Sequence, residues 1–178
     1  MRTDGKPVIL LLGDSLIDYG EWHRRLPGYL TISSGVPGER AGELLRRLPV
    51  GPERKSPDTI VVMTGTNNII FGDFSFIDTT RQIITRLQDR FGRVPLLVTS
   101  LLPYEIPGII GTIHAANDGL REVCREGHAV YFDLCTHFEN SQSRLFDYDG
   151  VHLSNTGYEL WASVLDEYLL QLLANRPD

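Results

Sequence analysis

Cysteine is scarce in this chain. Cys124 and Cys135 stand in no Cys-x-x-Cys pair, and two thiols at this length do not make a disulfide framework, so both read as reduced thiols. Positive charge is in deficit: 17 Lys and Arg against 23 Asp and Glu leave a net charge of −6 with histidine neutral. That balance lacks the electrostatic footprint of a nucleic-acid binder or of a protein held on an anionic membrane. Long hydrophobic runs are missing too. Val8 to Leu12 follows Arg2 and Lys6, but it is shorter than the apolar stretch of a secretory leader and ends in Gly13 and Asp14. No stretch nears the roughly 18 residues of a membrane span. The chain is therefore expected to be soluble and, by default, cytoplasmic. Glycine and proline, 17 and 10 of 178 residues, fall well short of a low-complexity polymer, so the glycines are positional. An apolar share of 42% excludes disorder. At roughly 150 residues per domain, residues 1–178 are expected to form one domain.

Several motifs are also absent. Without Gly-x-Ser-x-Gly the larger α/β-hydrolase fold is disfavoured. Neither Gly-x-x-x-x-Gly-Lys-[Ser/Thr] nor Gly-x-Gly-x-x-Gly follows a strand, so nucleotide cradling lacks its usual residues. His23, His114, His128 and His137 show no metal-ligand spacing. No metal and no cofactor is expected.

What the chain does contain is alternation. Short apolar runs at Val8 to Leu12, Tyr29 to Ser33, Thr59 to Thr64, Leu96 to Ser100 and Ala129 to Asp133 predict five strands, nearly continuous in apolar character as strands covered on both faces require. Between them, Glu39 to Leu48, Phe76 to Phe91 and Ile113 to Glu126 carry apolar residues at close to helical spacing. A last helix is expected from Asn155 to Leu173, with Ser154 as N-cap. Right-handed crossovers would place these helices on both faces of one parallel sheet, giving a three-layer α/β/α sandwich. The Pro-rich stretch Pro49 to Pro57 reads as a surface connection.

Ligands of open parallel sheets bind beyond the carboxyl ends of the strands. Chemistry collects there: Gly13-Asp14-Ser15-Leu16 after the first strand, Gly35-Val36-Pro37-Gly38-Glu39 after the second, Gly65-Thr66-Asn67-Asn68 after the third. Asp147-Tyr148-Asp149-Gly150-Val151-His152 precedes the last helix. Each alone is an ordinary turn sequence. Together they supply complementary roles in acyl transfer, since a serine needs a base, and the base needs a carboxylate to hold its tautomer. Ser15, His152 and Asp149 fit, with Asp147 a less favourable rival to Asp149. Gly38, the Ser15 amide and the Asn67 side chain fit as oxyanion donors. Gly35 rivals Gly38, which is preferred because Glu39 would begin a helix whose positive end adds to the amide. Asp14 is expected to brace the nucleophile turn or to meet substrate.

In order, these segments resemble the four motif blocks of the GDSL or SGNH hydrolases, from about Val8 to Ala162. The resemblance implies a flavodoxin-like sandwich and hydrolysis of esters or thioesters, as in lipases, lysophospholipases and thioesterases, without metal or cofactor. It implies Ser15 as nucleophile, Gly38 and Asn67 as oxyanion donors, and Asp149 with His152 completing the set. Two departures stand out. Asn68 occupies a position where many members carry Asp, and Ser33-Ser34 precede the second block where Asn is common.

Two apolar loops are candidates for shaping an acyl pocket: Ile69 to Phe76, with Phe71 and Phe74, and Leu101 to Ile110, with Leu102 and Tyr104. A small acyl ester is the expected partner, and the same loops could instead simply roof the core or cover a homodimer contact. The alternatives are a carbohydrate O-deacetylase and, from another class, a non-catalytic flavodoxin-like binding module. Little chain remains for a lid, so a shallow groove is expected.

Overall fold

The computed structural model describes residues 5–48 and 56–174. Most of the Pro49 to Pro57 connection lies outside them. Five strands form one sheet: β1 (Val8–Gly13), β2 (Leu30–Gly35), β3 (Thr59–Met63), β4 (Leu96–Thr99) and β5 (Val130–Phe132). Their order is β2-β1-β3-β4-β5, and every neighbouring pair is parallel. The register sets Gly13 beside Gly35 and Met63, so β1, β2 and β3 end at one level.

Among the described residues six helices lie between the strands, α1 (Ser15–Asp18), α2 (Trp22–Arg25), α3 (Ala41–Arg47), α4 (Thr66–Ile70), α5 (Phe76–Phe91) and α6 (Ile110–Glu126), and two follow β5, α7 (Leu134–Glu139) and α8 (Asn155–Ala174). The long helices form where apolar residues recur at helical period. In α5, Phe76, Thr80, Ile83, Ile84 and Leu87 are buried, a single stripe facing the sheet while Arg81, Thr85 and Gln88 stay outside it. Helices α3, α5 and α6 pack side by side, and α8 packs with α2 and α7, which gives the two outer layers of the sandwich. Ser154 caps α8 as expected, its Oγ accepting the Gly157 amide at 3.2 Å.

Strands β1, β3 and β4 are covered on both faces. The expectation of full cover does not hold for β2, where Leu30 is 41% exposed, or for β5. Both stand at sheet edges, where one flank has no neighbouring strand. The core extends from the sheet into an aromatic cluster under α8: Trp22 and Trp161 meet edge to face with ring centres 4.9 Å apart, and Trp22 Nε1 donates to the Ile17 carbonyl at 2.7 Å. Among the described residues no helix is long and apolar enough to cross a membrane.

Candidate active site

The chain leaves β1 toward β2 on one side, and β3 returns to pair with β1 on the other, so the strand order reverses at β1. A crevice opens at the carboxyl end of such a strand. Ser15 sits there as the first residue of α1, 8% exposed. Asp14 fixes that turn as N-cap, its Oδ1 accepting the Leu16 amide at 3.0 Å. Ser15 Oγ lies 3.0 Å from His152 Nε2. His152 is delivered by a loop closed at its base by an antiparallel bridge between Phe146 and Leu153, and the Asp147 amide donates to the His152 carbonyl at 2.8 Å. A further bond, Glu105 N–H to the Gly150 carbonyl at 2.8 Å, ties this loop to the one after β4.

Asp149 Oδ2 stands 2.5 Å from His152 Nδ1, while its Oδ1 accepts the Val151 and His152 amides, each at 2.9 Å. These bonds, that of the imidazole first, hold the Asp149 carboxyl down at about 2. Between the two candidate acids the geometry favours Asp149, since Asp147 gives the loop its backbone amide. A carboxylate on Nδ1 keeps that nitrogen protonated and turns the Nε2 lone pair toward Ser15, so the arrangement can accept the hydroxyl proton.

Gly35, which ends β2, and Gly38, which follows it, serve different ends. A Cβ on Gly35 would stand 2.3 Å from the Asp18 nitrogen and 2.7 Å from the Asp14 carbonyl, so Gly35 permits β2 to approach α1. Gly38 has φ +78° and open space on its Cβ side. Its amide and that of Ser15 donate to no group among the described residues. Helix α3 starts at Ala41 with Arg40 as N-cap, later than expected, so the Gly38 amide lies outside the helix and does not draw on its positive end. Asn67, the second residue of α4, donates one amide hydrogen to the Glu39 carbonyl at 3.0 Å, linking the loops after β3 and β2. Its neighbour Asn68 is buried, its Oδ1 accepting the Ala41 amide at 3.0 Å and its Nδ2 donating to Asp73 at 2.8 Å. An aspartate at 68 would set two carboxylates against each other. Asp73 thus explains the departure at this position.

One support escaped the sequence. Arg47 grips the buried Glu39 carboxylate through Nε at 2.5 Å and Nη2 at 2.7 Å, while Nη1 and Nη2 donate to the Ser34 hydroxyl and carbonyl, each at 2.8 Å. This clamp fixes the segment that carries Gly38 and accepts Asn67. It also accounts for Ser34, the second departure. Arg47→Met should destabilise the fold by about 2 to 3 kcal/mol, less than for a fully buried pair because Arg47 is 23% exposed, by leaving Glu39 unpaired. Urea unfolding checks this; a change within about 0.5 kcal/mol, the range of a neutral surface substitution, would contradict it.

Of the residues expected to meet substrate, Phe71 and Phe74 are exposed, at 66% and 56%, with the Arg40 guanidinium 4.3 Å over the Phe71 ring. Leu102, Tyr104 and Asp14 are 0%, 3% and 1% exposed and lie beneath the surface. The apolar run after β4 turns inward to fill the core, and the Tyr104 hydroxyl bonds Thr66 Oγ1 at 2.8 Å. Tyr19, 50% exposed, packs its ring 5.6 Å from that of His152. It lies one helical turn after Ser15, a spacing from which its proximity could have been read.

Burial pushes the Asp14 carboxyl up to about 6, against the pull of the Leu16 amide and the nearby Thr66 hydroxyl; its Oδ2 is buried without a well-formed partner. The folded chain therefore holds a proton between its unfolded value of 3.8 and about 6 that the unfolded chain has released. This group's contribution to stability falls as pH rises through that window, by about 3 kcal/mol in all. Asp149 acts oppositely, but its contribution is lost only as pH falls below 3.8 toward about 2. Asp14→Asn keeps an acceptor for Leu16. Its stability relative to the unsubstituted chain should thus improve by about 2 to 3 kcal/mol between pH 4 and pH 7.5 in urea titrations. A pH-independent difference would contradict the assignment.

The model of the GDSL-like Lipase/Acylhydrolase family matches residues 11–160 of this chain. The platelet-activating factor acetylhydrolase IB subunit alpha2 of Rattus norvegicus is 26% identical over 186 residues, covering 98% of this chain and 81% of that protein. Among solved structures, a lipase/acylhydrolase from Enterococcus faecalis superimposes with a TM-score of 0.75 at 20% identity, over 92% of this chain and 95% of that one. An acetyl xylan esterase gives 0.76 at 19% identity, over 91% and 99%. At these identities the structural likeness concerns the fold.

Proposed function

The chain belongs to the GDSL-like lipase/acylhydrolase family of ester hydrolases, and from that premise we propose that Ser15, His152 and Asp149 cleave short-chain carboxylic esters through an acyl-enzyme. The observation that carries this reading is one continuous relay: Asp149 on His152 Nδ1 at 2.5 Å and His152 Nε2 on Ser15 Oγ at 3.0 Å. Ser15 Oγ attacks the acyl carbonyl while its proton passes to Nε2. The oxyanion that forms is met by the Ser15 and Gly38 amides and by the Asn67 side-chain hydrogen not engaged by Glu39. Collapse expels the alkoxide, which takes the proton from Nε2 and departs as the alcohol. Water then attacks the acyl-serine, gives a proton to Nε2, and the acid leaves as that proton returns to Ser15 Oγ.

A short acyl group is supported by two observations. Leu102 and Tyr104, candidates for a long acyl wall, are inside the core, and the exposed Phe71 ring is partly covered by Arg40. The names of two similar proteins, an acetylhydrolase and an acetyl xylan esterase, point the same way on different alcohols. A non-catalytic binding module would leave the relay and the two free amides without purpose.

The test is turnover of p-nitrophenyl acetate, p-nitrophenyl octanoate and an acetylated xylooligosaccharide by the purified chain. The acetate should be turned over faster than the octanoate. Hydrolysis of none of the three above the buffer rate would reject the proposal, and preference for the octanoate would reject the short acyl chain.

A further inference from the structure

At the carboxyl end of β5, three strand positions and so roughly 14 Å from β1, a second group of reactive side chains converges. His114 comes from α6, and Cys135 and Glu139 come from α7. One ligand atom from each, an imidazole nitrogen, the thiol sulfur and a carboxylate oxygen, lies within 4.8 Å of the other two. Sequence spacing gave no sign of this at His114, because one of the three donors is carried by a different helix. Cys135 and Glu139 are four apart on α7 and share a face. His114 Nε2 and Glu139 Oε1 already meet at 2.6 Å.

We propose that His114, Cys135 and Glu139 form a binding site for a divalent transition-metal cation of the zinc type. One sulfur, one nitrogen and one oxygen donor form a mixed set suited to a borderline-soft cation rather than to calcium or magnesium, which take oxygen throughout. Around tetrahedral zinc such donors stand roughly 3.3 to 3.8 Å apart, so closure asks for side-chain shifts of about an ångström. His114 and Glu139, with side chains 53% and 37% exposed, are free to make them, whereas Cys135 is 4% exposed and fixed. The exposure of His114 and Glu139 leaves room for solvent as the remaining ligand, and Glu139 also lines a cavity of about 330 Å³ with Ile110 and Phe138. On binding, the Cys135 thiol loses its proton to solvent and the sulfur ligates as thiolate.

Such a cation would clamp α6 to α7, and both are wired to the loop after β4. The Cys135 amide donates to Ser100 Oγ at 2.8 Å, and the Asn117 side chain accepts from Leu101 N–H at 2.8 Å and donates to its carbonyl at 3.0 Å. That loop in turn holds Gly150 through Glu105. The consequence is a metal-dependent gain in thermal stability.

The test is titration of the reduced full-length chain with Co²⁺, read by absorption, followed by displacement with Zn²⁺ and a thermal melt. The expected result is one cobalt per chain with a thiolate-to-metal charge-transfer band, present in Cys124→Ser, lost in Cys135→Ser, and a midpoint raised by zinc. His114→Ala and Glu139→Gln should weaken cobalt binding at least about tenfold, a loss of the size that metal-site substitutions produce. No charge-transfer band in the unsubstituted chain, a band that survives Cys135→Ser, or an affinity unchanged by His114→Ala would each overturn the site. If Cys135→Ser does not fold, the surface variant His114→Ala decides alone. Ester hydrolysis is not read, so failure here leaves the proposed function standing.

Discussion

Ser15→Ala should lower kcat for p-nitrophenyl acetate by about 10⁴- to 10⁶-fold while the protein stays folded. Both halves follow from the geometry. Ser15 Oγ bonds to His152, at 3.0 Å, and to no other group among the described residues, so its removal leaves the scaffold intact. Alanine is well tolerated at the first position of α1, where the cap is supplied by Asp14. What disappears is the hydroxyl proposed to form the acyl-enzyme. The residue of activity should come from the Gly38 and Asn67 donors and from binding alone. Circular dichroism and a urea midpoint near that of the unsubstituted chain separate this outcome from unfolding. A loss of less than about tenfold in a folded variant would remove Ser15 from the role of nucleophile.

The second large effect concerns the carboxylate behind the imidazole. Asp149→Asn should lower kcat by about 10³- to 10⁴-fold with little change in stability. Asparagine keeps an oxygen for the Val151 and His152 amides, so the loop should hold. Its amide hydrogens can point at Nδ1, which favours the tautomer whose Nε2 carries the proton and cannot accept another from Ser15. Asp149 is half exposed, so water competes for Nδ1 and the loss should fall short of that for Ser15→Ala. Because its carboxyl lies at about 2, it is ionised across the working range, and no activity change near neutral pH belongs to its titration. Asp147→Asn is the internal comparison and should lose less than about tenfold, the range of a group off the relay. Equal losses in the two variants would contradict the assignment.

Much of the fold could be read from period alone. Helix α5 runs from Phe76 to Phe91 as the apolar spacing predicts, and α8 begins at Asn155 behind its serine cap. Helices α1, α2, α4 and α7, of four to six residues, are too short to show a period and escaped notice. The residues brought together at the β1 crevice were legible in part for a topological reason. Ser15, Gly38 and Asn67 each follow a strand at the carboxyl edge of one parallel sheet, so chain order brings their loops together, whereas Asp149 and His152 lie between α7 and α8 and are placed from sequence by complementary chemistry and the family resemblance. The loop after β4 is ambiguous in sequence because an apolar run leaving a strand suits a core as well as a pocket wall, and Leu102 and Tyr104 lie in the core. The Arg47 clamp left no trace, since Glu39 lies outside the helix that carries Arg47 and no spacing rule connects them.

The proposed hydrolysis requires Ser15 to be an activated nucleophile, and covalent trapping tests this most directly. After incubation with a fluorophosphonate, intact-mass spectrometry and peptide mapping should find one phosphonyl group per chain, on the peptide containing Ser15. The adduct should form far more slowly in His152→Ala. An adduct on a different residue, or an unlabelled chain that still turns over p-nitrophenyl acetate, would contradict it.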